Sequence, residues 1–73
     1  MSVYDLKMGE CAEITKIGIG GGARARLASL GIKVGERVEV LSFSLFKSSV
    51  LISCAAVRVG LRKSLAKQIE VRI

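Results

Sequence analysis

Short stretches in which apolar and polar residues alternate make up most of the chain, and they predict β-strands. Five such strands are expected, at residues 11–17, 37–43, 49–54, 57–61 and 69–73. In the first strand Ile17 breaks the alternation, which predicts a bulge near Lys16. Ala55-Ala56 links the third and fourth strands, although it lacks the Gly or Asn that is typical of a tight hairpin turn.

One segment, from Gly20 to Gly35, departs from this alternation and predicts a helix of about two turns. Ala23, Leu27 and Leu30 are spaced at i, i+4 and i+7, so a narrow apolar stripe is expected to face inward. A helix this short is not stable alone in water, so it is expected to pack on the sheet.

Glycines are expected to end this helix and to turn the chain. Gly31 stands where a left-handed residue ends a helix without steric penalty, and Ile32 would then contact Leu27 as in a Schellman motif. The next four residues, Lys33 to Glu36, fit a type II turn in which Gly35 supplies the positive φ.

Together these elements predict a mainly β protein. A late helical turn is expected at Ser64–Gln68, with Ser64 as its N-cap. The fold class is a small, strongly bent, five-stranded antiparallel barrel with one inserted short helix and this late turn. Such a barrel removes most exposed strand edges. No linker or repeat is visible, so residues 1–73 are expected to form a single domain. The predicted core consists of Leu27, Leu30, Ile32, Val38, Val40, Ile52, Val59, Leu61, Ile69 and Val71, with Cys54 and Ile73 also facing inward.

The formal net charge is +6, and the basic excess lies toward the C-terminal end. Residues 58–73 contain five basic side chains and one acidic side chain. Such a run fits nucleic acid, an acidic protein surface or an anionic membrane face, and it equally fits a solvated outer strand face, which we favour. The three aromatic residues, Tyr4, Phe43 and Phe46, lie outside this run, which argues against a stacking site for single-stranded nucleic acid.

Residue types that support catalysis or metal binding are scarce. The chain has no His, two Cys and six acidic residues, with no CxxC pair, so we expect no catalytic residues, no metal site and no cofactor. Cys11 and Cys54 are interpreted as free, buried small hydrophobes, with a metal shared between two molecules left open. The glycines at 18–22 lack the pattern of a phosphate-binding loop and are interpreted as a flexible entry to the helix.

The chain also lacks the pattern of a membrane span or a secretory leader. Its longest apolar stretch, Val50 to Val57, is far shorter than the roughly 20 residues that a spanning helix needs. We therefore expect a complete, cytoplasmic protein with no membrane insertion.

The loop between the second and third strands carries large apolar residues. Leu45 and Phe46 stand there beside Lys47, although exposed apolar side chains of this size are costly in solvent. Either the loop folds back over the open end of the barrel, or it marks a protein contact in which aromatic anchors dominate the binding energy.

Nearly the whole chain resembles one known family. The residues that carry the resemblance are Leu6, Gly9, Ile14 and Ile17, the segment Arg26-Leu27-x-x-Leu30-Gly31-Ile32-x-x-Gly35, Val38 and Val40, and Leu61-Arg62 followed by Ala66-x-x-Ile69-x-Val71. On these residues the chain resembles the FeoA family of ferrous iron transport accessory proteins. The resemblance implies an SH3-like barrel and a cytosolic protein that assists FeoB, a large membrane protein with a GTPase domain that moves ferrous iron.

Three loops depart from the family pattern: Val34 stands where Pro is frequent, and Ser44–Ser48 and Ala55-Ala56 lack the usual Pro or Gly. The expected function is that of a non-enzymatic accessory protein that docks onto a FeoB-like membrane GTPase transporter and has no small-molecule substrate. The candidate partner-binding residues are Phe43, Leu45 and Phe46 for apolar contact, and Arg24 and Arg26 for charge.

Other functions stay open at this stage. The basic excess fits a nucleic-acid-binding barrel, which predicts steeply salt-dependent binding to DNA or RNA. The barrel also resembles the C-terminal domain of iron-dependent repressors of the DtxR type, although a complete repressor needs further domains. A module for proline-rich peptides would need more aromatic residues than this chain has. A weak homo-oligomer stays open as well.

Overall fold

The computed structural model describes residues 1–73 and contains five β-strands and two short α-helices. In chain order the elements are β1 (Cys11–Ile17), α1 (Gly21–Ser29), β2 (Arg37–Phe43), β3 (Ser49–Cys54), β4 (Val57–Arg62), α2 (Lys63–Ala66) and β5 (Ile69–Arg72). Two single 3-10 turns lie at Val3–Asp5 and Leu45–Lys47. The predicted strands, the inserted helix and the late helical turn are confirmed, with differences only at their ends.

All five strands form one antiparallel sheet in the order β4-β3-β2-β1-β5. The register shifts between Ile14 and Lys16 of β1 and between Val40 and Ser42 of β2. Because such irregularities bend strands, the sheet curls around its apolar face. The first shift confirms the bulge predicted near Lys16.

The two edge strands of the sheet have different neighbours. Outside β5 the N-terminal residues continue the sheet, since Ser2 pairs with Glu70 and the Val71 amide donates to the Met1 carbonyl over 2.8 Å. Outside β4 no further strand is paired. The chain therefore closes one edge with its own N-terminus and leaves the other edge open.

The core is one cluster of 16 buried apolar residues drawn from every strand, both helices and the N-terminal segment. The predicted core residues all belong to this cluster or pack against it, with Leu30 and Val59 only half-buried. The prediction for Ile73 was wrong: its side chain is 70% exposed. Ile73 lies beyond Arg72, the last residue of β5 that pairs with β1, so no neighbouring strand covers it.

The end of α1 is built as the glycine pattern predicts. Gly31 has φ +87, its amide donates to Ala28, and the Ile32 amide donates to the Leu27 carbonyl over 2.9 Å, which together form a Schellman motif. Gly35 has φ +95, and the Glu36 amide closes the type II turn onto the Lys33 carbonyl over 3.1 Å.

The prediction of an inward apolar stripe on α1 was wrong for one of its three residues. Ala23 is exposed, and Leu27 is the only buried residue of the helix. The helix therefore contacts the sheet through its last turn, while its first turn projects into solvent. Neither helix of the structure is long and apolar enough to cross a membrane.

Helix α2 begins one residue before the predicted start. Arg62 is its N-cap residue and no side chain caps the helix, so the prediction of Ser64 as N-cap was wrong. The Lys63 amide donates to the Ser48 carbonyl over 3.0 Å. The β4 ladder thus runs directly into the helix and satisfies the first helical amide without a capping side chain.

Ala55 and Ala56 form a two-residue turn between β3 and β4. Both have positive φ, 51° and 66°, which is the left-handed conformation required by a type I′ hairpin. For residues with a Cβ, that conformation costs about 1–2 kcal/mol each. A Cβ added at Gly31 would lie 2.8 Å from the Cβ of Ala55, so this turn also packs tightly against the end of α1.

Candidate functional site

An apolar tip, formed by Leu45 and Phe46, projects from the loop between β2 and β3. Leu45 is 79% exposed and Phe46 is 91% exposed. Phe46 and Lys47 both have positive φ, 63° and 56°, a conformation that is uncommon for residues other than glycine. The loop therefore does not fold back over the end of the barrel, which was one of the two alternatives for this segment.

The loop that carries the apolar tip is closed by its own serines. The Ser49 amide donates to the Ser44 hydroxyl over 2.9 Å, and the Ser44 amide donates to the Ser49 carbonyl over 3.0 Å. The Lys47 amide donates to the Ser44 carbonyl over 2.8 Å. These bonds fix both ends of the loop, so the tip is presented on an ordered base.

Two aromatic rings form that base. Tyr4 and Phe43 meet edge to face, with centroids 5.9 Å apart and planes at 89°. The Tyr4 hydroxyl donates to the Lys47 carbonyl over 2.9 Å. Phe43 is half-buried against the core, so this predicted contact residue supports the tip and exposes only part of its ring.

A lysine cluster, formed by Lys47, Lys63 and Lys67, surrounds these rings. The Lys47 ammonium lies 4.5 Å from the Phe43 ring centroid, and those of Lys63 and Lys67 lie 5.4 and 5.6 Å from the Tyr4 centroid. The one salt bridge of the molecule joins Arg72 to Glu13, so no carboxylate forms a salt bridge with the cluster, although Asp5 lies near enough to Lys67 for their charges to interact. The surface beside the tip is therefore cationic and suited to an acidic partner.

The two arginines predicted as contact residues lie apart from the tip, on α1. Arg24 is exposed and donates to the Ile17 carbonyl at 3.5 Å, the outer limit of a hydrogen bond. Arg26 lines a groove beside β4 that includes neither Leu45 nor Phe46. The five predicted residues thus belong to two separate surfaces.

That groove, the edge groove, was missed by the sequence analysis. It has a volume of about 580 Å³ and runs between α1, the open edge of β4 and the start of α2. Its lining residues are Arg26, Leu27, Leu30, Val57, Arg58, Val59, Gly60, Leu61, Arg62, Ser64 and Leu65. The lining contains three arginines and no acidic residue.

The cysteines are free, as expected, but only one of them is buried. Cys11 is exposed because it lies on the outer face of β1, where it pairs with Glu39, so its predicted burial was wrong. Cys54 faces the core, and burial raises the pKa of its thiol, with a smaller contribution from Glu36. No three His, Cys, Asp or Glu side chains are grouped so that they could hold a metal ion.

The curled antiparallel sheet with one inserted helix defines a small SH3-like β-domain. A family model for the FeoA domain matches residues 1–73, and the chain therefore belongs to the FeoA family of ferrous iron transport. This confirms the resemblance and the fold class inferred from the sequence. No curated protein sequence gave a significant match.

Solved structures agree with this membership. The FeoA protein of Chlorobium tepidum is 30% identical, with 100% of this chain and 70% of that chain covered and a TM-score of 0.94. FeoA of Stenotrophomonas maltophilia, 24% identical with 99% and 89% covered and a TM-score of 0.79, is described as an SH3 domain protein and proposed to be a bacterial ferrous iron transport activating factor.

A manganese-dependent transcriptional repressor shares the fold. It is 22% identical, with 99% of this chain but 35% of the repressor covered and a TM-score of 0.83. An identity this low shows a common fold and nothing about regulation or DNA binding.

Proposed function

We propose that this chain is a non-enzymatic, cytoplasmic accessory protein of ferrous iron transport that docks onto a FeoB-like membrane GTPase transporter. Family membership supports the transport role, and the S. maltophilia relative is itself described as an activating factor. The observation that carries the docking proposal is the apolar tip, where Phe46 is almost fully exposed on an ordered base. Burial of such an aromatic side chain at an interface supplies much of the binding energy.

The positive charge of the lysine cluster favours docking onto an acidic surface of the transporter. The ammonium groups of Lys47, Lys63 and Lys67 lie within 5.6 Å of the two rings beneath the tip. Charge complementarity of this kind raises the association rate and selects the orientation of the partner. Arg24 and Arg26, which lie on α1, are proposed to add a second charged contact.

Docking would act on the transporter by differential affinity. A protein that binds one conformation or nucleotide state of the GTPase more tightly than another shifts the balance toward the state it prefers. This mechanism requires a specific interface and no catalytic residue of the chain itself.

The experiment that tests the proposal is co-purification with a detergent-solubilised FeoB-like transporter, followed by measurement of the affinity. Phe46→Ala is expected to weaken binding by about tenfold, because it removes the aromatic anchor. Met8→Ala is the matched control, since Met8 is also a large exposed apolar residue, at 65%, and lies away from the tip. We expect the control to bind like the parent protein.

The thermal midpoint decides how a loss of binding is interpreted. Phe46→Ala should melt within about 4 °C of the parent, since surface substitutions usually change stability by less than about 0.5 kcal/mol, which shifts the midpoint of a domain this small by about 2–4 °C. A much lower midpoint would mean that Phe46 belongs to the core. Recovery of DNA or RNA instead of a membrane protein, with steeply salt-dependent binding, would overturn the proposal in favour of a nucleic-acid-binding module.

A further inference from the structure

The open edge of β4 carries backbone groups that have no partner. The Lys63 amide donates to the carbonyl of Ser48, which immediately precedes β3. Because an antiparallel ladder alternates, the backbone amides and carbonyls of Leu61, Val59 and Val57 also point toward β3. The amides and carbonyls of Arg58 and Gly60 and the amide of Arg62 therefore point into the edge groove, whereas the Arg62 carbonyl belongs to the first turn of α2, for which Arg62 is the N-cap residue. None of the backbone hydrogen bonds formed outside the helices and strands uses these groups.

The ladder behind this edge is regular. The pairing of β3 with β4 runs without interruption from Ser49 and Arg62 to Cys54 and Val57, whereas the pairings of β1 with β5 and of β2 with β3 each contain a register shift. The chain has no proline, and no bulge interrupts β4. A flat edge without these blocking features is a template for one more strand.

The two sides of the edge groove differ in character. On its inner side lie apolar groups of Leu27, Leu30 and Leu65. On its outer side Arg58 and Arg62 are exposed, two places on either side of Gly60 and on the same face of the strand. A strand added to β4 would therefore place alternate residues against apolar side chains and against arginines.

A second copy of the chain does not fit this edge. If two β4 strands paired antiparallel about Gly60, Arg58 of one copy would face Arg62 of the other. Like charges directly opposite one another on a sheet are destabilising. With three arginines and no acid in the lining, the groove instead complements carboxylates.

We propose that the edge groove binds an extended protein segment in which acidic and apolar residues alternate, and that this segment adds to β4 as a sixth strand. Its backbone would bond to Arg58, Gly60 and Arg62, its apolar side chains would cover Leu30 and Leu65, and its carboxylates would pair with the arginines. This inference goes beyond the docking of the apolar tip, since it concerns another surface and holds for any protein that supplies such a segment.

The test is an NMR titration of the labelled protein with a blocked peptide of about seven residues, the length of an ordinary strand, in which Glu and Val alternate. We expect saturable shifts of the amides of Arg58, Gly60 and Arg62. A peptide of the same composition with its Glu residues in one half is the control for charge alone, and it should bind at least about fivefold more weakly because it cannot match the alternation.

Gly60 provides a matched pair of variants. Gly60→Pro removes the outward amide without removing a bond to β3, and proline is tolerated on an edge strand at such a position. Gly60→Ala keeps the amide, and nothing lies within 4 Å of the added Cβ. We expect Gly60→Pro to weaken peptide binding by about tenfold and Gly60→Ala to leave it within about twofold.

Several outcomes would overturn the proposal: no saturable shift with the alternating peptide, equal binding of the two peptides, or equal binding by the two Gly60 variants. The hydrogen-bonded amides of β3 must stay protected in Gly60→Pro, which shows that the strand is still in place. Phe46→Ala should bind the alternating peptide like the parent protein. A failure to bind the peptide would therefore not contradict docking through the apolar tip. A failure to dock onto the transporter would likewise not contradict peptide binding at β4.

Discussion

At the β5 edge of the sheet the N-terminal residues add an antiparallel bridge, whereas at the β4 edge the outward backbone groups face an open groove. The covering segment at β5 is also part of the core, since Val3 and Leu6 are fully buried. At β4 the adjacent Leu30 and Val59 are only half-buried. One edge is therefore stabilising, and the other is available for contact.

This difference matters because the domain is small. A chain of 73 residues buries only about 60% of its unfolded surface, so its stability depends on nearly every buried side chain. An open, regular edge contributes less to stability and exposes the chain to unwanted pairing. Its position beside a groove lined by three arginines is the observation behind the binding role that we propose for this edge.

The largest expected effect is at the closed edge. Leu6→Ala should lower the free energy of unfolding by about 2–5 kcal/mol, because it removes a fully buried side chain from the covering segment. Leu30→Ala is the matched substitution at the open edge and should cost clearly less. Urea unfolding of both variants measures the difference, and equal losses would contradict the comparison.

A smaller effect is expected where α1 meets the β3–β4 turn. Gly31→Ala should cost about 2 kcal/mol, because Ala is strained at positive φ and its Cβ would lie 2.8 Å from that of Ala55. Gly35→Ala meets no atom within 4 Å and should show the backbone strain alone. If the two variants unfold at the same urea concentration, the close approach to Ala55 has no energetic weight.

Glycine in the Ala55-Ala56 turn, which leads into the open edge strand β4, should increase the stability of the protein. Ala56→Gly removes a left-handed alanine and is expected to raise the free energy of unfolding by about 0.5–1 kcal/mol after the added chain entropy is subtracted. Ala25→Gly, in the exposed part of α1, should lower it by about 1 kcal/mol. Thermal melts that shift in the same direction for both would show that the turn is not strained.

The smallest effect concerns pH and the closed edge. The backbone amide of Ser2 donates to the Asp5 carboxylate over 2.8 Å, and this bond holds the pKa of Asp5 below its usual value of 3.8. Since folding favours the ionised form, its contribution is fully present above that value and is lost as the pH falls through the lower, folded pKa.

We therefore expect stability to fall below about pH 4 and the fall to be shallower in Asp5→Asn. The free energy of unfolding, measured by chemical denaturation of both proteins between about pH 2 and pH 7, tests this expectation. Equal slopes for the variant and the parent would show that other carboxylates carry the effect.

Most of the fold was predictable from the sequence because each strand has one buried face. Alternation in β3 placed Ile52 and Cys54 on the inward face, and the glycine at 31 located the end of α1. The conformation of Ala55-Ala56 was not predictable, because alanine has no preference for positive φ and the ladder imposes it. The exposure of Cys11, in contrast, follows from the alternation, since Cys11 shares a face of β1 with Glu13 and Thr15; its burial was expected only from its residue type.

The candidate site was predictable only in part. Leu45 and Phe46 were recognisable because large apolar residues in a loop are unusual, and the structure exposes both. The edge groove was not recognisable, because strand order decides which strand lies at an edge and local sequence does not encode it. Arg58 and Arg62 were predicted only as part of a basic run on a solvated outer strand face.

Hydrogen–deuterium exchange, measured with and without a purified FeoB-like transporter in detergent, tests the docking claim most directly. We expect the amides of Leu45 to Lys47 to exchange more slowly when the transporter is present, while those of β5 keep their rates. Added protection at Arg58 and Gly60 would identify the transporter as the source of the sixth strand. Unchanged exchange throughout the chain at saturating transporter would contradict docking.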